Sequence, residues 1–167
     1  MAAASPTPSQ KRLARLIAAG TLFGVAVFVG LAYYIQSARL ERGIGSGSPD
    51  QIALGRAVYE KNCGSCHGPR LEGQPNWQRR QPSGRMPAPP HDDSGHTWHH
   101  PDRILFAITK HGLVPPHAPP GYQSDMPAFQ SVLSDDEIRA VLAFIKSHWS
   151  AEVMKWRAEA LKHLEQP

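Results

Sequence analysis

The pattern of apolar and polar positions first shows an uninterrupted apolar run near the N-terminus, LIAAGTLFGVAVFVGLAYYIQS at residues 16–37. A helix needs about 20 apolar residues to cross a bilayer, so we predict a transmembrane signal anchor over residues 13–38. A cleaved signal peptide is the alternative, but its apolar core is about 7–15 residues long and ends in small residues. This run ends in Tyr33 and Tyr34, which are typical of a membrane interface.

The charges that flank the apolar run predict its orientation. Three basic residues precede it: Lys11, Arg12 and Arg15. Two follow it, Arg39 and Arg42, with Glu41 between them. The positive-inside rule then places the N-terminus in the cytoplasm and everything after Arg42 in the periplasm. We predict a disordered leader over residues 1–12 and a flexible linker over residues 39–47, which end in GIGSG.

The first helix after the linker carries several start signals. Ser48 suits the N-cap and Pro49 the first helical position, and apolar residues then recur up to Tyr59. Gly55 costs a helix about 1 kcal/mol relative to alanine. Its presence therefore indicates that another backbone approaches closely at this point.

Two more helices are predicted further along the chain, and no stretch alternates like a strand. One begins at Pro101 and ends at Gly112. The other begins with a capping box, Ser134 and Glu137. Four apolar residues lie on one face of it: Ile138, Val141, Leu142 and Ile145. The pattern then either continues this helix or forms another, so residues 150–167 are predicted as a C-terminal helical extension.

The composition restricts the possible structures and functions of the chain. Twelve of the 16 prolines lie between Pro69 and Pro127, so the middle of the domain is predicted to be loop with a thin protein core. The net charge of +4 belongs entirely to residues 1–42, because thirteen basic residues balance thirteen acidic ones after them. No basic stripe therefore suggests binding to nucleic acid.

The segment Cys63-Gly64-Ser65-Cys66-His67 carries the chemistry. C-x-x-C-H is the attachment sequence of c-type haem, in which the two thiols add to the porphyrin vinyl groups and the imidazole binds iron. The chain has only these two cysteines, whereas a zinc ribbon needs four soft ligands. A redox-active dithiol remains an alternative, although it would follow a strand and the residues before Cys63 are helical in pattern.

Several segments together resemble class I, monohaem cytochromes c of the membrane-anchored bacterial kind. They are Gly55-x-x-x-Tyr59, Cys63-x-x-Cys66-His67-Gly68, Met126-Pro127-Ala128-Phe129, Ser134-Asp135-x-Glu137 and Ala143-Phe144-Ile145-Lys146. The resemblance covers about residues 48–149. It implies an all-α domain around one covalent haem c, with Gly55 crossing the face around Phe144. It also implies His67 as the proximal iron ligand and Met126 as the distal one.

The distal ligand has a rival. Met86 is also followed by proline in a loop, and Met126 could instead only fill a gap in the core. A His/Met pair raises the reduction potential and leaves the iron no vacancy, which suits an electron carrier rather than an enzyme. An enzyme or sensor with an open distal position is the minority alternative.

A histidine-rich segment departs from the plain family pattern. Four histidines lie in residues 91–100, together with Asp92 and Asp93: His91, His96, His99 and His100. Imidazole and carboxylate groups suit copper or zinc, so these residues are a possible secondary metal site. The simpler interpretation is that they cap helices and bind the haem propionates.

We therefore predict a single-pass protein of the bacterial inner membrane, with residues 48–149 forming a periplasmic cytochrome c domain that carries electrons. Its partners would be redox proteins or respiratory or photosynthetic membrane complexes, near which the anchor would hold it. The alternative function is the handling of copper by the histidine-rich segment together with the haem.

Overall fold

The structure, a computed structural model, describes residues 7–43 and 47–164. The chain divides into two compact units, residues 1–40 and residues 41–167. Helix α1, Pro8–Gly43, contains residues 8–40 of the first unit and ends three residues beyond it. Within the described ranges this is the one helix long and apolar enough to cross a membrane, through Leu16–Ile35. The side chains of that segment are exposed, so they have no protein core to cover them.

Helix α1 is longer than the apolar run alone predicted. Residues 8–12, predicted as a disordered leader, and residues 39–43, predicted as linker, are helical. The physical reason is that these flanks carry Gln, Lys, Arg, Leu and Glu, which favour helix as well as the apolar residues do. Pro8 stands at the first helical position, where proline is tolerated. Of the remaining leader and linker residues, 1–6 and 44–46 lie outside the described residues.

In residues 47–164, the second unit contains five helices and one short 3₁₀ turn. The helices are α2 (Pro49–Asn62), α3 (Gly64–His67), α4 (Asp102–His111), α5 (Asp135–Lys146) and α6 (Ala151–Leu164). The 3₁₀ turn is Thr97–His99. No strand occurs in the described part of the chain, which confirms the predicted all-α class.

Helices α2 and α5 cross at the centre of this unit. The Ser48 hydroxyl caps α2 by accepting a hydrogen bond of 3.2 Å from the Gln51 backbone N–H. A Cβ atom on Gly55 would lie 2.0 Å from the carbonyl oxygen of Ala140 and 2.8 Å from Cβ of Phe144. The prediction that Gly55 lets a second backbone approach, against the face around Phe144, is confirmed.

Among the described residues, helix α5 contributes more buried apolar side chains to the core than any other helix. It begins with the predicted capping box, in which Ser134 and Glu137 bond each other's backbone N–H groups. Ile138 and every residue from 140 to 146 are buried. Helix α4 packs against α5 and ends at Gly112, which has a φ of 82°.

The chain after α5 forms a separate helix. The Ser150 hydroxyl accepts a 3.2 Å hydrogen bond from the Val153 N–H and so gives α6 its own N-terminal cap. A turn at residues 147–150 therefore separates α6 from α5. Of the two outcomes left open by the sequence, a further helix is the observed one.

Candidate functional site

The second unit encloses a cavity of about 570 Å³, a size typical of ligand sites. Its apolar wall comes from the loops and from helices α4 and α5, including Leu105, Phe129 and Ile145. The sulphur-bearing and imidazole groups on its wall are Cys63, Cys66, His67, Met86, Met126, His91, His96, His100 and His117. The structure therefore gathers most of the predicted site residues around one space.

The end of helix α2 presents the C-x-x-C-H segment to this cavity. Cys63 ends the helix, its N–H donating to the carbonyl oxygen of Tyr59 at 2.9 Å. Helix α3 is a single turn that brings His67 back over Cys63, with a 2.9 Å bond from its N–H to the Cys63 carbonyl oxygen. Both thiols are free. One helical turn thus places two thiols and an imidazole on the same wall.

The Cys63 thiol does not have the properties of a redox-active dithiol. Burial, with a smaller contribution from neighbouring Cys66, raises the pKa of Cys63 to about 11. Catalytic C-x-x-C cysteines have lowered pKa values, because the thiolate is the reactive form. The helical setting and the raised pKa together count against the dithiol alternative.

His67 is fixed in one orientation. It is buried, and its Nδ1 lies 2.8 Å from the carbonyl oxygen of Pro89. A carbonyl only accepts, so Nδ1 carries the proton and Nε2 is left to coordinate a metal. Burial lowers the pKa of His67, which favours the neutral form that binds iron. The role of Pro89 was not predicted, since a backbone carbonyl leaves no signal in the sequence.

Both candidate methionines line the cavity, Met86 and Met126. The Met126 N–H donates to the Ser124 hydroxyl at 3.1 Å, which stabilises the turn before it. The residues that precede the two methionines, Arg85 and Asp125, form an ion pair that joins their loops.

Three of the four histidines in residues 91–100 line the cavity: His91, His96 and His100. The ring of His91 stacks on that of His67 with centroids 4.0 Å apart, and its Nδ1 lies 2.8 Å from the Thr97 hydroxyl. His96 stacks on Trp77, with centroids 5.3 Å apart. Burial lowers the pKa of His91, His96 and His100, which favours the neutral form of these rings.

The structure does not assemble the predicted secondary metal site. His99 is exposed and stacks on Trp98 instead of lining the cavity. Among the residues that the structure describes, no group of three or more His, Cys, Asp or Glu side chains could hold a metal ion. The spacing of the segment suggested metal binding, but its fold turns the rings to the cavity.

The groups present fit a covalently attached porphyrin. Two free thiols stand one helical turn apart, an imidazole beside them keeps Nε2 available, and the rest of the wall is mainly apolar. A helical domain with this donor set is a c-type haem protein.

Comparison with known families supports the assignment to the c-type haem proteins. The family model described as Cytochrome c matches residues 52–149, more than half of the chain. The chain belongs to the cytochrome c family, whose members bind haem c covalently and transfer electrons. A search of curated proteins and a search of solved structures gave no match.

Proposed function

We propose that this chain is a membrane-anchored electron carrier of the periplasm, whose haem iron is held between His67 and Met126. The observation that carries the proposal is the cavity that joins the C-x-x-C-H turn, an oriented imidazole and a thioether. The haem supplies a one-electron couple when bound. The protein holds the group, excludes water from it and sets its potential.

The hydrogen bond from His67 to Pro89 supports the proximal assignment. It fixes the ring tautomer and makes the ligating nitrogen more basic, as in other sites where a metal-bound imidazole donates to a carbonyl. A buried, neutral ring needs no deprotonation before it binds iron. The residue is therefore prepared to coordinate from one side of the porphyrin.

The connectivity favours Met126 over Met86 as the second ligand. Met86 lies three residues before Pro89, in the same segment that holds the His67 ring. The hydrogen bond to Pro89 ties this segment to the side of the cavity on which His67 lies. Met126 comes from a separate loop and is not tied to the His67 ring. We assign Met86 to the wall of the cavity.

The walls also support an electron-transfer role. A thioether ligand and a mainly apolar cavity both favour the ferrous state and so raise the reduction potential. Burial lowers the pKa of His96 and His100, which favours their neutral form and limits the positive charge beside the haem. An iron with both axial positions filled exchanges electrons without binding a substrate.

The anchor rests on helix α1. Its exposed apolar segment, Leu16–Ile35, matches the thickness of a bilayer at 1.5 Å per residue. The flanking charges favour a cytoplasmic N-terminus, which puts the haem domain in the periplasm. An anchored carrier has a raised effective concentration near membrane-bound redox partners.

An absorption and magnetic circular dichroism spectrum of the oxidised, haem-loaded protein tests the ligand assignment. We expect a thioether-to-iron charge-transfer feature in the wild type. Met126→Ala should abolish it and let the ferrous protein bind carbon monoxide readily. Met86→Ala is the matched control, because Met86 is also a methionine before proline on the cavity wall, and it should keep the feature.

The opposite pattern, loss in Met86→Ala and retention in Met126→Ala, would assign the ligand to Met86. A wild-type protein that lacks the feature and binds carbon monoxide at once has an open distal site, and the carrier proposal then fails.

A further inference from the structure

Helix α6 lies beyond the residues matched by the family, which end at 149. It nevertheless packs on the 3₁₀ turn of the histidine-rich segment. Val153 and Arg157 form its inner face, and Arg157 is only 4 % exposed. A charged side chain that is buried to this degree needs hydrogen-bond or ion-pair partners. The partners of Arg157 therefore indicate the role of helix α6.

Arg157 bonds directly to the histidine-rich segment. Its Nη1 donates to the carbonyl oxygen of Trp98 at 2.7 Å and to that of His100. Its Nη2 donates to the carboxylate of Asp102, at the start of α4. The planar guanidinium therefore holds three acceptors from one short stretch of chain in fixed relative positions.

The charges explain why these bonds persist. Asp102 is buried and also pairs with the Nζ of Lys146 on α5, at 2.7 Å. One carboxylate thus faces two cations. The carbonyl oxygens of Trp98 and His100 supply the remaining acceptors that a buried guanidinium needs. The segment cannot move away from α6 without leaving a buried cation poorly solvated.

The turn before α6 holds the other end of the same segment. Trp149 Nε1 donates to the carbonyl oxygen of His91 at 2.8 Å. The Ser150 N–H donates to the Asp93 carboxylate at 3.0 Å. The segment from residue 91 to residue 100 is therefore fastened at both ends to the C-terminal part of the chain.

We propose that helix α6 is a working part of the haem site and that Arg157 is a positioning residue, which fixes the cavity wall formed by His91, His96 and His100. The inference rests on the proposed function, because it assigns these residues to the wall around the haem. We call the hydrogen bonds of Arg157 to Trp98, His100 and Asp102 the clamp. Without the clamp, the cavity wall opens more often and water reaches the porphyrin. Water stabilises the ferric state, so the reduction potential falls.

Arg157→Met tests this in the haem-loaded full-length protein. The variant keeps the Asp102–Lys146 pair, so no buried charge is left alone. Hydrogen bonds to charged groups contribute about 1.5–3 kcal/mol, which corresponds to about ten- to hundredfold faster amide exchange in residues 96–102. We also expect a lower reduction potential and an unchanged thioether feature. Lys155→Met, on the exposed face of the same helix, is the matched control and should change neither.

A second variant guards against misfolding of the first. Trp149→Phe keeps an aromatic side chain but removes the bond to His91, and should speed exchange around residue 91 by about two- to tenfold. If both variants match Lys155→Met in exchange and potential, or if exchange rises only within 151–164, the clamp does not exist. A wild-type protein without the thioether feature would instead overturn the ligand assignment, so the two failures are distinguishable.

Discussion

Replacing Gly55 with alanine tests the helix crossing that supports the haem site. The added Cβ would lie 2.0 Å from the Ala140 carbonyl oxygen and 2.8 Å from Cβ of Phe144. Contacts between carbon and carbonyl oxygen are normally about 3.3 Å or longer. The nearest atom belongs to the backbone, so no change of rotamer relieves the overlap, and helices α2 and α5 must separate.

Two opposing terms set the size of the effect. Alanine favours helix over glycine by about 1 kcal/mol. Overpacking costs about 1–3 kcal/mol, and a clash with backbone belongs at the upper end of that range. We therefore expect Gly55→Ala to lower the free energy of unfolding by about 2 kcal/mol. For a domain of about 100 residues this lowers Tm by roughly 8–16 °C.

Guanidinium chloride unfolding of the haem-loaded protein, followed by tryptophan fluorescence, measures this difference. Ala57→Gly on the exposed side of the same helix is the control. It should cost only the propensity term of about 1 kcal/mol. If Gly55→Ala is as stable as the wild type while the control loses stability as expected, the close crossing is refuted.

Two further predictions concern the cavity rim and its histidines. The exposed ion pair of Arg85 and Asp125 should stabilise the position of the Met126 loop by about 0.2–1 kcal/mol. Arg85→Asp removes this pair, so exogenous imidazole should displace Met126 more easily and bind the ferric protein up to about fivefold more tightly. Adding Asp125→Arg restores an ion pair and should reverse the effect. Burial lowers the pKa of His96 and His100, so the unfolded chain binds more protons than the folded one below about pH 6.5. Stability should therefore fall from pH 7 to pH 5 in denaturant titrations, and less steeply in His96→Gln; an equal slope in that variant would contradict the burial argument.

The sequence by itself determined the local features. The capping box at Ser134, the end of α4 at Gly112 and the apolar run of α1 all depend on neighbouring residues, and the structure has each of them. The attachment segment from Cys63 to His67 also lies within one helical turn. Gly55 predicted a close approach because a glycine inside a helix needs such a reason.

The tertiary structure decided which distant residues contact these local features. The carbonyl of Pro89 reaches the His67 ring across 22 residues, and a backbone acceptor has no signature in sequence. The histidine-rich segment has the composition of a metal site, yet three of its four rings line the cavity, and its backbone carbonyls bond to Arg157 and Trp149, more than 50 residues away. The spacing of residues along the chain predicts contacts between sequence neighbours. The contacts of Arg157 and Trp149 with the histidine-rich segment join distant residues, so they depend on how helices α4, α5 and α6 pack.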